Sequence, residues 1–248
     1  PLGQDNLICR GMAEVMGEAP SGVRLVVRSQ IPIGVGLGSS AAALVAGVLI
    51  GGEMDGGGRS REELLGVAAR LEGHPDNAAA ALLGGVVVAA ESASEVLTRR
   101  AELPSQLRFV VTTPALALPT STSRAVLPAS YDREDVIRNL QRAALLTAAF
   151  FSDPLGLTPE LFSDRLHQGR RAQLVPGIAD CLDVRHPDLL GVFLSGAGSS
   201  VVGVVRGSEG EVGELFREAF AGAGISASTR VASGDNLGAQ VTRIEIPA

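Results

Sequence analysis

The segment Pro32-Ile33-Gly34-Val35-Gly36-Leu37-Gly38-Ser39-Ser40-Ala41-Ala42 constrains this chain more than any other. Alternating glycines permit positive φ and close backbone approach, and the apolar run Ala41 to Ile50 follows at once. A helix beginning there turns its unpaired N–H groups and its positive dipole end back on the loop. That is an anion site suited to phosphate. Ser39 and Ser40 add hydroxyls that can reach a phosphate or Mg2+. The plainer alternative is a glycine turn that lets a helix pack close to a strand.

Two named phosphate loops can be tested against this segment. The chain has 21 basic residues, all of them Arg, so a P-loop lysine and a Schiff-base lysine are both excluded. Gly36-x-Gly38-x-x-Ala41 formally matches the dinucleotide fingerprint. That fingerprint needs a following strand ending in an acid about 20 residues on, within a βαβ unit. Asp55 stands at the right distance but in a glycine loop, so the dinucleotide reading is poorly supported.

The remaining composition narrows the class. With 248 residues the chain can bury a sizeable core in one large domain or two small ones. A net charge of −6 without a basic run argues against nucleic acid as a partner. Cys9 and Cys181 form no disulfide or zinc pattern and read as small buried hydrophobes. The longest apolar stretch, Ala41 to Ile50, is too short for a bilayer, and no signal peptide is evident. The expectation is a cytoplasmic protein with no membrane partner.

Patterning predicts an α+β chain with helices on one face of a sheet. Asp5 is the expected cap of a helix carrying Leu7, Ile8, Met12 and Val15. Val23 to Ser29 reads as a strand, and Gly51 and Gly52 as the end of the Ala41–Ile50 helix. Ser60 with Glu63 is a capping box for a helix to about Leu71, and a short Ala-rich helix precedes Gly84-Gly85. Strands are expected at 86–90, 108–112, 189–194, 201–205, 225–231 and 239–246, and helices at 133–151, 175–184 and 209–221. The polar turn Glu102 to Gln106 marks the expected boundary between domains 1–103 and 104–248.

Three further segments could carry chemistry. Glu72-Gly73-His74-Pro75-Asp76-Asn77 gathers two carboxylates, an imidazole and a carboxamide that can hold Mg2+ and orient a small polar substrate. The same segment could equally be a helix end at Gly73 followed by an Asp76 cap. Ser195 to Ser200 is a second glycine loop after a strand, and Thr120 and Arg124 are spaced to share a helical face.

Together these segments resemble the GHMP small-molecule kinases. Pro32 to Ala42 fits every fixed position of that family's P-x-x-x-G-L-G-S-S-A-A motif. Gly196-Ala197-Gly198-Ser199-Ser200 is similar to its C-terminal glycine motif, with Ser199 where the family usually has Pro. Within the family, Glu72 to Asn77 with Leu83-Gly84-Gly85 look like the homoserine kinase branch. So do Thr120 to Pro128, His167 through Arg171 to Gly177, and Asp235-x-x-Gly238-Ala239.

The resemblance implies a ribosomal-S5-like N-terminal domain and a ferredoxin-like C-terminal domain, with the active site between them. It implies transfer of the ATP γ-phosphoryl group to the hydroxyl of L-homoserine, on the route to threonine. Residues Pro32, Ile33, Gly34, Val35, Gly36, Leu37, Gly38, Ser39, Ser40, Ala41 and Ala42 would cradle the nucleotide phosphates. Ser40 and Glu72 would hold Mg2+. His74 and Asn77 would face the substrate, with Asn77 orienting the hydroxyl. Thr120 would lie by the transferring group, and Arg124 and Arg171 would pair with the homoserine carboxylate. Phosphoryl transfer relies on positioning and charge neutralisation more than on covalent help, and the general base is left open: Asp76 is the nearest carboxylate, with capping as its equal alternative.

The family's first motif, P-x-[ST]-x-A-N-L-G-x-G-F-D-like, is not in the chain, so an upstream segment with the first strands is expected beyond Pro1. A homodimer fits the family. The competing expectations are a GHMP kinase of another small alcohol and a non-catalytic relative that binds nucleotide or metabolite.

Overall fold

Asn6, in extended conformation, accepts the Ile8 N–H on its side chain and opens helix α1 (Leu7–Met16), which Gly17 closes. Asp5, the expected cap, lies one residue too early. The computed structural model describes residues 5–244. These fall into two units, one of residues 5–30, 38–102 and 235–244, the other of 31–37 and 103–234.

In the first unit α1 packs on α2 (Ser39–Met54), which runs through Gly51 and Gly52 instead of stopping at Ile50. A Cβ on Gly51 would sit 3.0 Å from the Met12 backbone, so the glycine is there for helix contact and not for chain termination. Ser60 and Glu63 form the predicted capping box of α3 (Arg61–Glu72). Helix α4 (Asp76–Leu83) leads into a hairpin of β1 (Val86–Glu91) and β2 (Val96–Ala101), paired Val86↔Ala101 through Glu91↔Val96. Val45, Val48, Leu64, Leu65, Ala78 and Leu82 form the core.

Two expected strands are not found in this unit. Residues 23–29 carry no strand, and Val26 and Val27 are 68% and 58% exposed. Their β-branched side chains favour extension, but no strand among the described residues pairs with them. Residues 239–244 also form no strand, and 245–246 lie outside the described residues. Here the backbone bonds elsewhere: the Ala239 N–H donates to the Leu82 carbonyl, and Arg61 donates to both Leu82 and Ala239 carbonyls.

The second unit contains β3 (Arg108–Pro114), α5 (Thr120–Ala125), α6 (Arg133–Ser152), α7 (Gln168–Ala172) and α8 (Ile178–Leu182). The chain continues through β4 (Leu189–Leu194), β5 (Val201–Val205), α9 (Glu209–Gly222) and β6 (Ala227–Ser233). The sheet order is β4-β5-β3-β6 with all neighbours antiparallel. Strand, helices, two strands, helix and strand in this order form a ferredoxin-like sheet.

This sheet is covered on both faces, not one. Val110, Val192, Leu194, Val201 and Val205 pack with Ile178 of α8 and Phe216 and Phe220 of α9. Alternate residues Phe109, Leu190, Phe193 and Val204 pack with Phe162 and with Leu146, Ala149 and Phe150 of α6. Strands apolar on both sides, such as the Val-rich β5, require that arrangement. The expected 175–184 helix is confined to α8, because Pro176 and Gly177 precede it, and a further short helix, α7, forms just ahead of these residues.

Candidate active site

In the first unit the helix start at Ser39 is preceded by Gly38 at φ +69°, which has no side chain with which to cap the first-turn N–H groups. Ser40 Oγ donates to Glu72 Oε1 at 2.5 Å, joining the first turn of α2 to the last residue of α3 across 32 positions. A Cβ on Gly38 would lie 3.9 Å from Asn77 Cγ, so Asn77 faces the same helix start. His74 Nδ1 is 2.6 Å from Asp76 Oδ1, which also accepts the Asn77 N–H at 2.6 Å. Asp76 therefore ties His74 to the first turn of α4, where Pro75 is the N-cap residue. The structure brings Gly38, Ser39, Ser40, Glu72 and Asn77 together, with His74 attached through Asp76.

Glu72 and Ser40 offer a carboxylate and a hydroxyl, hard oxygen donors of the kind Mg2+ takes beside substrate phosphates. Among the described residues there is no group of three His, Cys, Asp or Glu side chains that could hold a metal. The donor set fits an ion that completes its shell with phosphate and water, and does not fit a closed protein cage.

In the second unit the early part of the glycine loop rests on the late one. The Gly34 carbonyl accepts the Leu118 N–H, the Val35 carbonyl accepts the Ser200 N–H at 3.1 Å, and the Gly36 carbonyl accepts Ser195 Oγ at 2.9 Å. Val35 is buried, whereas Ile33 is 86% exposed. Ser199, standing where the family usually has Pro, is fully buried and donates to the Leu116 carbonyl at 2.6 Å.

The same loop meets the two arginines. Arg171 on α7 donates from Nε to the Ser123 carbonyl and from one terminal nitrogen to the Gly196 carbonyl at 3.0 Å. Ser123, buried on α5, donates to the Ala197 carbonyl at 2.6 Å and precedes the exposed Arg124. Burial pushes the Arg171 pKa below its ordinary value, Asp164 opposes this, and the Arg124 guanidinium adds to the lowering. Arg124 and Arg171 are thus electrostatic neighbours. Thr120 opens α5 one helical turn from Arg124.

Ser123 and Asp164 were not among the residues expected at the site, and Ser195 and His167 were named only within longer segments, without a role. The Asp164-x-x-His167 spacing just ahead of Arg171 was the available signal. Asp164 Oδ2 accepts the N–H groups of Leu166, His167 and Gln168, the kind of acceptor that Asp, Asn, Ser or Thr supplies ahead of a helix.

Residues 6–85 match the GHMP kinases N terminal domain. The chain is 40% identical over 245 residues to a homoserine kinase of Moorella thermoacetica, covering 97% of this chain and 83% of that protein. It is 40% identical to that of Solibacter usitatus, covering 98% and 81%. A solved Listeria monocytogenes structure assigned as a homoserine kinase aligns over 99% of this chain and 82% of its own, with a TM-score of 0.77 and 27% identity. Such identity, sustained over four fifths of each relative's length, makes this chain a member of the homoserine kinase family of GHMP kinases.

Proposed function

We propose that the chain transfers the γ-phosphoryl group of ATP to the hydroxyl of L-homoserine. The bond from γ-phosphorus to the bridging oxygen breaks, a bond to the homoserine oxygen forms, the hydroxyl proton is released to water, and ADP leaves with O-phospho-L-homoserine as product. The observation that carries the reading is the Ser40–Glu72 pair at the uncapped start of α2.

The roles follow from chemistry at each position. The Pro32–Ala42 loop and the α2 N-terminus receive the nucleotide phosphates. Ser40 and Glu72 are proposed to hold Mg2+, which when bound neutralises phosphate charge. Asn77, exposed beside Gly38, orients the attacking hydroxyl through its carboxamide. Asp76 Oδ1 is engaged by His74 and the Asn77 backbone, so its role is to position those two, and no general base is assigned. Thr120 is proposed to lie by the transferring group, and Arg124 and Arg171 to clamp the homoserine carboxylate. That clamp separates a carboxylate-bearing substrate from uncharged alcohols and sugars.

The reading includes a cytoplasmic location and a homodimer. No helix among the described residues is long and apolar enough to cross a membrane. Ile137, Leu140, Leu145 and Phe151 leave α6 with exposed apolar side chains that a second copy could cover. The deciding experiment is coupled ADP release by the intact protein with Mg-ATP, comparing L-homoserine with small alcohols lacking the carboxylate. Homoserine-dependent turnover supports the proposal. Turnover with the alcohols alone overturns the substrate, and nucleotide binding without turnover overturns the kinase reading.

A further inference from the structure

Arg171 is aimed by a chain of contacts that begins at a buried carboxylate. Asp164, whose side chain is 8% exposed, accepts the Leu166, His167 and Gln168 N–H groups on Oδ2 at 3.1, 2.6 and 2.6 Å. Its Oδ1 accepts Asn139 Nδ2 from α6 at 3.1 Å, and Asn139 Oδ1 in turn accepts the Arg165 N–H at 2.8 Å. Gln168, also buried, donates to the Phe162 carbonyl and accepts the Leu194 N–H, which anchors this turn to the end of β4.

His167 stands between this carboxylate and Arg171. Its Nε2 faces Asp164 Oδ1 at 3.7 Å, and its Nδ1 lies 3.3 Å from a terminal nitrogen of Arg171. A guanidinium only donates, so Nδ1 must accept and the imidazole must carry its proton on Nε2. The negative charge of Asp164 favours a proton on that nitrogen. Burial and the Arg171 charge keep His167 below its ordinary pKa against the pull of Asp164, consistent with a neutral ring. Arg124 and Tyr131 are the other charged or titratable groups acting on Arg171.

We propose that Asp164 is a positioning residue for substrate recognition: it selects the Nε2–H form of His167, whose Nδ1 then fixes the direction of Arg171. The proposal rests on the assignment of Arg171 to the homoserine carboxylate. Neither Asp164 nor His167 needs to touch the substrate.

The test is steady-state kinetics on the intact protein for Arg171→Ala, Asp164→Asn, His167→Gln and His167→Phe. Arg171→Ala is the reference. If it leaves the homoserine KM unchanged, the carboxylate assignment falls and this proposal with it. With that KM raised, Asp164→Asn is expected to raise it about tenfold, the scale of one charge-assisted hydrogen bond, with kcat and the ATP KM within about twofold.

The glutamine oxygen of His167→Gln can accept from Arg171 without any tautomer choice, so this variant should stay within about threefold of the parent, while His167→Phe matches Asp164→Asn. The Asp164→Asn effect should also shrink in the His167→Gln background. Imidazole 15N shifts should report the Nε2–H form in the parent and a mixture in Asp164→Asn. A lower melting temperature with unchanged homoserine KM would reduce Asp164 to a structural cap and overturn the proposal. Should Asp164→Asn fail to fold, the contrast between the glutamine and phenylalanine variants decides: equal homoserine KM values overturn it.

Discussion

Gly36 and Ser195, 159 positions apart, are bound backbone to side chain: Ser195 Oγ donates to the Gly36 carbonyl at 2.9 Å. Gly36 has φ +83°, and a Cβ there would collide with the Ser195 carbonyl oxygen and stand 2.8 Å from that of Gly198. The two glycine loops therefore depend on each other. Gly36→Ala meets both left-handed strain and a backbone clash, and should destabilise the protein by about 2–4 kcal/mol. A urea midpoint equal to the parent's would show that the loops separate freely.

Gly38 differs, because a Cβ there has room but a left-handed φ of +69°. Gly38→Asp should cost only about 1–2 kcal/mol in stability. Its carboxylate, placed at the start of α2, repels the phosphates, so nucleotide affinity should fall by more than about tenfold. Titration with a fluorescent ATP analogue checks this. Undiminished affinity in the folded variant would remove the loop from phosphate binding.

Arg124 is exposed, while Arg171 is held by three partners. Arg124→Ala should therefore leave the fold intact and cost roughly 1.5–3 kcal/mol of charge-assisted bonding to the substrate, read as a homoserine KM raised about 10- to 150-fold. The ATP KM should not change. Arg124→Lys should recover only part of the loss, since an ammonium lacks the guanidinium fork. Equal effects on both substrates would contradict a carboxylate role.

Stability should depend on pH through Asp164 and His167. Burial alone would raise the Asp164 pKa, but the N–H groups of Gln168 and His167, the His167 charge and Asn139 outweigh it and leave it below 3.8. Its stabilisation is complete above the unfolded value and is lost as pH falls through 3.8 towards the lowered native value. His167 also titrates below its ordinary 6.5 in the native state, so the unfolded chain takes up that proton first and stability already declines below 6.5. Asp164→Asn should be about 2–3 kcal/mol less stable than the parent at pH 7, with the gap closing below pH 3.8. Urea unfolding from pH 7 to 3 measures this, and a gap independent of pH would exclude the charge as its source.

Features written in a few consecutive residues could be read without the fold. The Ser60–Glu63 box, the glycine loop opening into an apolar helix, and β3, β4 and β5 all follow from caps, φ preferences and apolar runs acting over one or two turns. The family resemblance was legible in short segments too, above all Pro32–Ala42 and Glu72–Asn77. Misread elements are those whose state depends on a distant partner. Val23–Ser29 has the composition of a strand without a paired neighbour, β2 (VLTRRA) is strand only because β1 bonds to it, and 239–244 is held by Leu82, Arg61 and Glu53. At the site, residue chemistry picked out Glu72 and the family resemblance added Arg171, but only packing set their surroundings. Ser40 reaches Glu72 across 32 positions, and Arg171 is held by Ser123 of α5 and by Gly196 of the second glycine loop. Backbone preference is decided by neighbouring atoms in the chain. Which loops meet is decided by burial of whole faces, and that depends on residues far apart in sequence.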